Sequence, residues 1–140
     1  MAILEKLKSK KIVVIGAGTT GKSITNFLIE KKIEFTIYDE KIEELNGLPV
    51  SNSLTGKEEL ALISPGWRPD HHVFKELKNA GAELISEIDL AYLLKTEINP
   101  SQIWLAVTGT NGKTTCVQML ESILSESDLR AVGCGNVGLP

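Results

Sequence analysis

The sequence lacks paired cysteine motifs, a basic block and any long apolar run. Its two cysteines, Cys116 and Cys134, form neither a C-x-x-C motif nor another metal-ligand spacing, so we expect reduced core thiols of a cytoplasmic protein. The 15 basic and 18 acidic residues give a net charge of −3 without a basic cluster, which argues against nucleic acid as a partner. No stretch reaches the length that spans a bilayer, so we expect no membrane span.

What the sequence does contain is a regular alternation of apolar runs and helical spacing. With 42% hydrophobic residues it can bury an ordinary core. Lys11–Ile15 is a β-branched run, Ile24, Phe27 and Leu28 recur at helical spacing, and Ile33–Tyr38 is a second run. This order is typical of parallel βαβ units and predicts an α/β fold with a Rossmann-like parallel sheet.

The same pattern continues in the middle of the chain. We predict short strands at Leu60–Ser64 and Glu83–Ile85, separated by a helix. Ser86, followed three residues later by Asp89, resembles an acidic capping box and predicts a helix through Leu94.

A linker at residues 99–101 precedes a restart of the pattern. Beyond it we predict a strand at Gln102–Val107, a helix from Thr115 to about Ser125 and a strand at Arg130–Gly133. We therefore place one domain at residues 1–98 and an incomplete second domain at residues 99–140, because about 40 residues fall below the usual size of a domain. An apolar stripe on its helix is expected to be core: Val117, Leu120, Ile123 and Leu124.

The first glycine loop has the form G-x-G-x-x-G, directly after a strand and before a helix. Gly16 permits a tight turn, Gly18 permits close approach of a diphosphate, and Gly21 permits packing of helix on strand. Asp39, at the end of the second strand, is placed to accept hydrogen bonds from a ribose or a base. Taken alone, the loop fits an NAD-dependent oxidoreductase or a nucleotide-sensing regulatory module, and both remain open at this point.

The second glycine loop, T-G-T-N-G-K-T-T, also lies between a strand and a helix. Its backbone N–H groups can hold a triphosphate, Lys113 can neutralise the β and γ oxygens, and the Thr114 hydroxyl can bind Mg²⁺. Val107 stands where the strict P-loop pattern has its first glycine. The loop thus predicts the first part of a P-loop ATPase domain that follows the Rossmann-like domain.

This second string resembles the ATP loop of the Mur ligases and of the related folylpolyglutamate synthetases. Four more segments resemble Mur ligase motifs in the expected order: V-V-I-G-A-G-T-T-G-K-S, S-P-G, S-E-I-D-L-A and G-N-V-G-L-P, which begin at Val13, Ser64, Ser86 and Gly135. Folylpolyglutamate synthetases carry their ATP loop near the N-terminus, without a preceding Rossmann-like domain. A stand-alone NAD module would need one glycine loop, whereas this chain has two.

The resemblance implies an ATP-dependent ligase with ATP and Mg²⁺ as cofactors. It implies addition of D-glutamate to UDP-N-acetylmuramoyl-L-alanine through an acyl phosphate, in peptidoglycan synthesis. The implied substrate-binding residues are Gly18, Thr19, Thr20, Gly21, Asp39, Ser64, Pro65, Gly66 and Asn136. The implied ATP-binding residues are Gly109, Thr110, Asn111, Gly112, Lys113, Thr114 and Thr115, with Lys113 as the catalytic group and Thr114 as the metal ligand.

The resemblance also implies that parts of the family's active site are not found in residues 1–140. The family needs a downstream glutamate and histidine for magnesium, a carbamylated lysine and a C-terminal domain, so we expect residues 1–140 alone to be inactive. We expect the whole enzyme to be monomeric and this chain to self-associate through the incomplete second domain. Trp67, His71 and His72 match no motif and are expected to be surface or packing residues.

Overall fold

A computed structural model describes residues 2–135 of the chain. It divides into two compact units, Met1–Ser101 (unit 1) and Gln102–Pro140 (unit 2). Unit 1 contains α1 (Ile3–Ser9), β1 (Ile12–Ile15), α2 (Thr19–Glu30), β2 (Phe35–Tyr38), β3 (Glu44–Leu45), β4 (Leu48–Pro49), β5 (Leu60–Ile63), α3 (His72–Asn79), β6 (Glu83–Ser86) and α4 (Glu87–Ile98). Unit 2 contains α5 (Lys113–Glu126).

Unit 1 is built on a four-stranded parallel sheet with the order β2-β1-β5-β6. The central strand β1 pairs with β2 and β5 in register, so that Ile12 lies between Phe35 and Leu60. All four residues of β1 are buried, as a strand covered on both faces requires. The predicted α/β class with a Rossmann-like sheet is confirmed.

Helices cover both faces of this sheet because successive β1 side chains point to opposite sides. Ile12 and Val14 belong to one apolar core, to which α1, α2 and α4 contribute. Val13 and Ile15 belong to a second core, which is closed by α3. The resulting three layers leave the carboxyl ends of the strands free to carry loops.

The α4 helix begins as its sequence predicts. The Ser86 hydroxyl accepts a hydrogen bond from the Asp89 N–H (3.1 Å) and donates one to the Asp89 carboxylate (2.5 Å). Ser86 is therefore the N-cap of α4, and Asp89 accepts from the Ser86 hydroxyl, whereas the N3 carboxylate of a capping box accepts from the N-cap N–H.

Two elements of unit 1 were not predicted from the sequence. The first is α1, whose N-terminal Ile3 N–H donates to the Glu97 carboxylate on α4 at 2.5 Å. The second is the β3–β4 hairpin, whose turn residues Asn46 and Gly47 have φ of 53° and 80°. After the hairpin the chain returns along the outer edge of β2, where the Ser51 N–H donates to the Ile37 carbonyl (2.9 Å).

Unit 2 departs from the sequence prediction in its strands. The helix is present, but within the described residues neither Gln102–Val107 nor Arg130–Gly133 forms a strand. A strand needs a neighbour for its N–H and C=O groups and burial to favour the pairing, yet Ile103 and Leu105 are 83% and 61% exposed.

Burial in unit 2 is also lower than predicted. No residue of α5 is buried, and Ile123 of the predicted core stripe is 58% exposed. Cys116 and Cys134 are free thiols as expected, but both are exposed, so their assignment to the core is wrong. The functional assignment of residues 1–98 and 99–140 to two domains stays a prediction. Among the described residues, no helix is both long and apolar enough to cross a membrane.

Candidate functional site

A cleft of about 450 Å³ lies at the carboxyl edge of the unit 1 sheet, where the loops after β1, β2 and β5 meet. Its lining comes from these loops and the start of α3: Gly16, Gly18, Thr19, Thr20, Asp39, Glu40, Lys41, Ser64, Pro65, Gly66, Trp67, Arg68 and His71. In open parallel sheets this edge is the usual place for ligands. Seven of the sequence-predicted substrate residues line the cleft, Gly21 does not, and Asn136 lies outside the described residues.

The three glycines of the first loop have different surroundings. Gly16 has φ of 102°, and a Cβ on it would lie 2.6 Å from the Trp67 indole nitrogen. A Cβ on Gly21 would lie 1.9 Å from the Gly16 carbonyl oxygen. A Cβ on Gly18 would meet nothing within 4 Å. Packing therefore requires glycine at Gly16 and Gly21, whereas the space beside Gly18 is open to the cleft.

The open space beside Gly18 coincides with the beginning of α2. Gly18 is the N-cap of this helix, and no N-cap side chain bonds to the first-turn N–H groups. The N-terminus of a helix attracts anions through these N–H groups and through the helix dipole. Thr19 and Thr20 add hydroxyl groups at the same wall of the cleft. The loop thus offers room, donors and a favourable field for a phosphate group.

Asp39 fixes the geometry of this loop. Its Oδ2 accepts a hydrogen bond from the Ala17 N–H (2.9 Å), and its Oδ1 accepts from the N–H groups of Lys41 (2.9 Å) and Ile42 (3.3 Å). The carboxylate therefore ties the glycine loop to the chain that leaves β2. One lone pair of Oδ2 remains for a ligand, because each carboxylate oxygen accepts about two hydrogen bonds.

Ser64 contributes a buried hydroxyl at the cleft. The residue is 7% exposed, and its Oγ has no hydrogen-bond partner among residues 2–135. Its backbone N–H donates to the Ile15 carbonyl (3.0 Å), which holds the start of the S-P-G turn against β1. A buried hydroxyl without a partner is costly, so this group is suited to a ligand that supplies the missing bond.

An aromatic wall lies beside Gly16 of the first glycine loop, and the sequence did not predict it. Trp67 lies against Tyr38 (ring centroids 5.7 Å apart) and meets His71 edge-on (4.7 Å, 87°). Burial raises the pKa of Tyr38 to about 12, with the Glu40 carboxylate adding to the effect. The Tyr38 hydroxyl therefore stays protonated and donates to Glu40 at 3.1 Å. An aromatic residue directly after S-P-G was the available signal for this wall.

In unit 2 the second glycine loop leads into α5 as predicted. Gly112 is the N-cap and takes a left-handed conformation with φ of 76°, which favours glycine. The Lys113 ammonium turns back over the loop and donates to the carbonyls of Gly109 (2.5 Å) and Thr110 (3.2 Å). Thr114 and Thr115 lie in the first turn of α5. The loop thus brings an ammonium, hydroxyl groups and helix N–H groups to one place.

Comparison with known proteins gives a match over most of unit 1. The sequence profile of the Mur ligase MurD-like N-terminal domain matches residues 10–86. The match covers β1, the first glycine loop, β2 and the S-P-G turn, and ends before the second glycine loop.

Similar curated proteins extend the match into unit 2. A UDP-N-acetylmuramoylalanine–D-glutamate ligase of Thermobifida fusca is 35% identical, over 96% of this chain and 31% of that protein. The ligase of the same name from Corynebacterium diphtheriae is 35% identical, over 92% of this chain and 30% of that protein. The chain thus spans about 31% of the length of such relatives. A solved structure, a conserved hypothetical protein from Pyrococcus furiosus, is 24% identical with a TM-score of 0.44, a likeness too weak to bear on function.

Proposed function

The chain belongs to the MurD-like Mur ligases through its N-terminal domain, and on this premise we propose that it provides the substrate domain and the ATP loop of a cytoplasmic ligase. The ligase joins D-glutamate to UDP-N-acetylmuramoyl-L-alanine at the expense of ATP, through an acyl phosphate, in peptidoglycan synthesis. Relatives that are 35% identical to this chain over the matched part carry the name of that ligase.

The observation that carries the proposal is the pairing of Gly18 and Ser64 across one cleft. Open space beside Gly18 at the start of α2 suits a diphosphate, because the helix N-terminus supplies N–H donors and a positive field. The unpartnered Ser64 hydroxyl offers one hydrogen bond to the same ligand. Trp67 supplies an apolar wall of the kind against which a uracil ring packs.

Asp39 fits either nucleotide ligand, UDP or NAD. In NAD enzymes an acidic residue at this position accepts a hydrogen bond from the ribose 2′-hydroxyl. Here three backbone N–H groups already bond to Asp39, which leaves it one further hydrogen bond to accept. The choice between UDP and NAD therefore depends on the other residues of the cleft.

The residues of the second loop fit a magnesium-bound triphosphate. The N–H groups at the start of α5 and the Lys113 ammonium would hold the phosphate oxygens, and the Thr114 hydroxyl would bind the metal. ATP with Mg²⁺ supplies the phosphoryl group for activation of the substrate carboxylate. For Lys113 to reach it, the ammonium must exchange its bonds to the Gly109 and Thr110 carbonyls for bonds to phosphate.

Calorimetric titration of the chain with UDP-N-acetylmuramoyl-L-alanine, UDP and NAD tests the proposal. We expect saturable binding of the two uridine compounds and none of NAD. Ser64→Ala is the sharpest variant, because loss of an unpartnered buried hydroxyl should leave the free energy of unfolding unchanged or slightly higher. The same change should weaken UDP binding about tenfold, since it removes one hydrogen bond to a charged ligand. Binding of NAD without UDP would contradict the proposal.

A further inference from the structure

Two imidazoles and a carboxylate converge at the rim of the cleft. The Nε2 atoms of His71 and His72 each lie 3.5 Å from the same Glu40 carboxylate oxygen, Oε1. One ligand atom of each residue falls within 4.8 Å of the others. Glu76, one turn along α3, places its carboxylate 3.9 Å from the His72 Nε2. The loop after β2 and the start of α3 thus bring two nitrogen donors and one oxygen donor together.

Contacts outside the cluster hold two of these groups in place. The Tyr38 hydroxyl donates to the Glu40 carboxylate (3.1 Å), and the Trp67 ring meets the His71 ring edge-on at 4.7 Å. The His72 ring lies against the His71 ring, with centroids 4.5 Å apart. Little side-chain freedom of Glu40 and His71 is therefore left to lose when a ligand binds.

The spacing of the donors distinguishes a cluster held by direct hydrogen bonds from a cluster that binds a metal ion. An N–H···O hydrogen bond has a usual length of about 2.9 Å. Ligand atoms around a tetrahedral ion, each about 2.1 Å from the metal, lie about 3.4 Å apart. The two 3.5 Å separations match the second geometry better than the first.

We propose that Glu40, His71 and His72 are the three protein ligands of a binding site for a divalent transition metal ion, Zn²⁺ by its donor set, with water as the fourth ligand. Imidazole and carboxylate groups in a tetrahedral arrangement are ligands that zinc prefers. Coordination through Nε2 leaves the imidazole proton on Nδ1. The 3.4 Å hydrogen bond from the Val73 N–H to His71 Nδ1, which caps α3, would therefore be lost. The site lies at the cleft rim and shares no residue with the magnesium site expected in unit 2.

The test is a calorimetric titration of the untagged chain with Zn²⁺ alone. Exposed Cys116 and Cys134 are competing zinc ligands, so every sample carries Cys116→Ser and Cys134→Ser. We expect one zinc ion per chain, with affinity at least tenfold weaker in His72→Ala and in Glu40→Gln. Lys78→Ala, on the same helix and outside the cluster, should leave the affinity within twofold of the parent.

Folding is monitored separately, by circular dichroism of each variant. His72 is 60% exposed on its side chain, and glutamine at position 40 can still accept from Tyr38, so both variants should fold. Co²⁺ in place of zinc should give the visible absorption of a tetrahedral site in the parent, and His72→Ala should abolish it.

The proposal is overturned if the parent shows no saturable zinc binding below millimolar concentration, or if His72→Ala binds zinc as the parent does. UDP titrations carried out with a chelator are independent of this result, so failure of the zinc site leaves the proposed ligase function untouched.

Discussion

Substitution by alanine is expected to have opposite effects at two of the three glycines of the first loop, Gly18 and Gly21. Gly18→Ala places a methyl group in open space at an ordinary φ of −77°. The entropy lost from the unfolded chain, worth about 0.4–1 kcal/mol, offsets the poorer N-cap preference of alanine. The free energy of unfolding should therefore change by less than about 1 kcal/mol. The methyl group occupies the approach to the N–H groups of α2, so UDP binding should weaken at least tenfold, or about 1.4 kcal/mol.

Gly21→Ala, in contrast, should destabilise the fold. Its Cβ would lie 1.9 Å from the Gly16 carbonyl oxygen, a separation at which backbone must shift. Overpacking of this kind costs about 1–3 kcal/mol or more, which corresponds to a fall in Tm of roughly 5–20 °C for a domain of about 100 residues.

Thermal unfolding followed by circular dichroism and UDP titration by calorimetry measure the two effects side by side. Parent-like UDP affinity in Gly18→Ala would show that the diphosphate does not approach this glycine. Parent-like stability in Gly21→Ala would show that the close contact between α2 and the loop is not required.

Two further predictions concern single side chains. In the full-length ligase, Lys113→Ala should lower kcat at least 100-fold because phosphate neutralisation is lost, while binding of the UDP substrate stays nearly intact. Lys113→Arg should not restore kcat. Steady-state turnover equal to that of the parent would remove this lysine from the mechanism. Burial would raise the pKa of Glu58, but hydrogen bonds from the Thr55 N–H (2.6 Å) and hydroxyl (2.8 Å) outweigh it and lower that pKa below its model-peptide value of 4.5. The stabilisation by the Glu58 carboxylate is therefore present above pH 4.5 and lost as the pH falls through the lower pKa of the folded state. In urea unfolding, Glu58→Gln should therefore destabilise the chain at pH 7 and much less at pH 3. An equal effect at both pH values would contradict this prediction.

The parallel sheet could be predicted from the sequence because its signals are local. The strand Ile12–Ile15 is apolar throughout, and the glycine loop follows it directly. The β3–β4 hairpin carried an equally local signal, since Asn46-Gly47 favours the left-handed turn that the structure shows, but the strands beside it are only two residues long. Short strands leave little hydrophobic pattern to detect.

Other features depend on residues far apart in the chain and could not be predicted. The α1 helix is capped by Glu97, 94 residues away from Ile3. The convergence of Glu40 with His71 and His72 requires β2 and α3 to meet at one edge of the sheet. In unit 2 the apolar sequence of residues 103–107 indicated a central strand, but sequence alone does not specify the neighbour that such a strand needs.

The segment that runs along β2 determines how this sheet can meet other polypeptides. The Ser51 N–H donates to the Ile37 carbonyl and its carbonyl accepts from the Asp39 N–H at 3.0 Å, so the outer hydrogen-bonding groups of β2 at this point are occupied from within the chain. An extended peptide that adds a strand to the sheet would have to displace residue 51 at that edge. Strand exchange or peptide docking at this point of β2 therefore requires the segment around Ser51 to detach first.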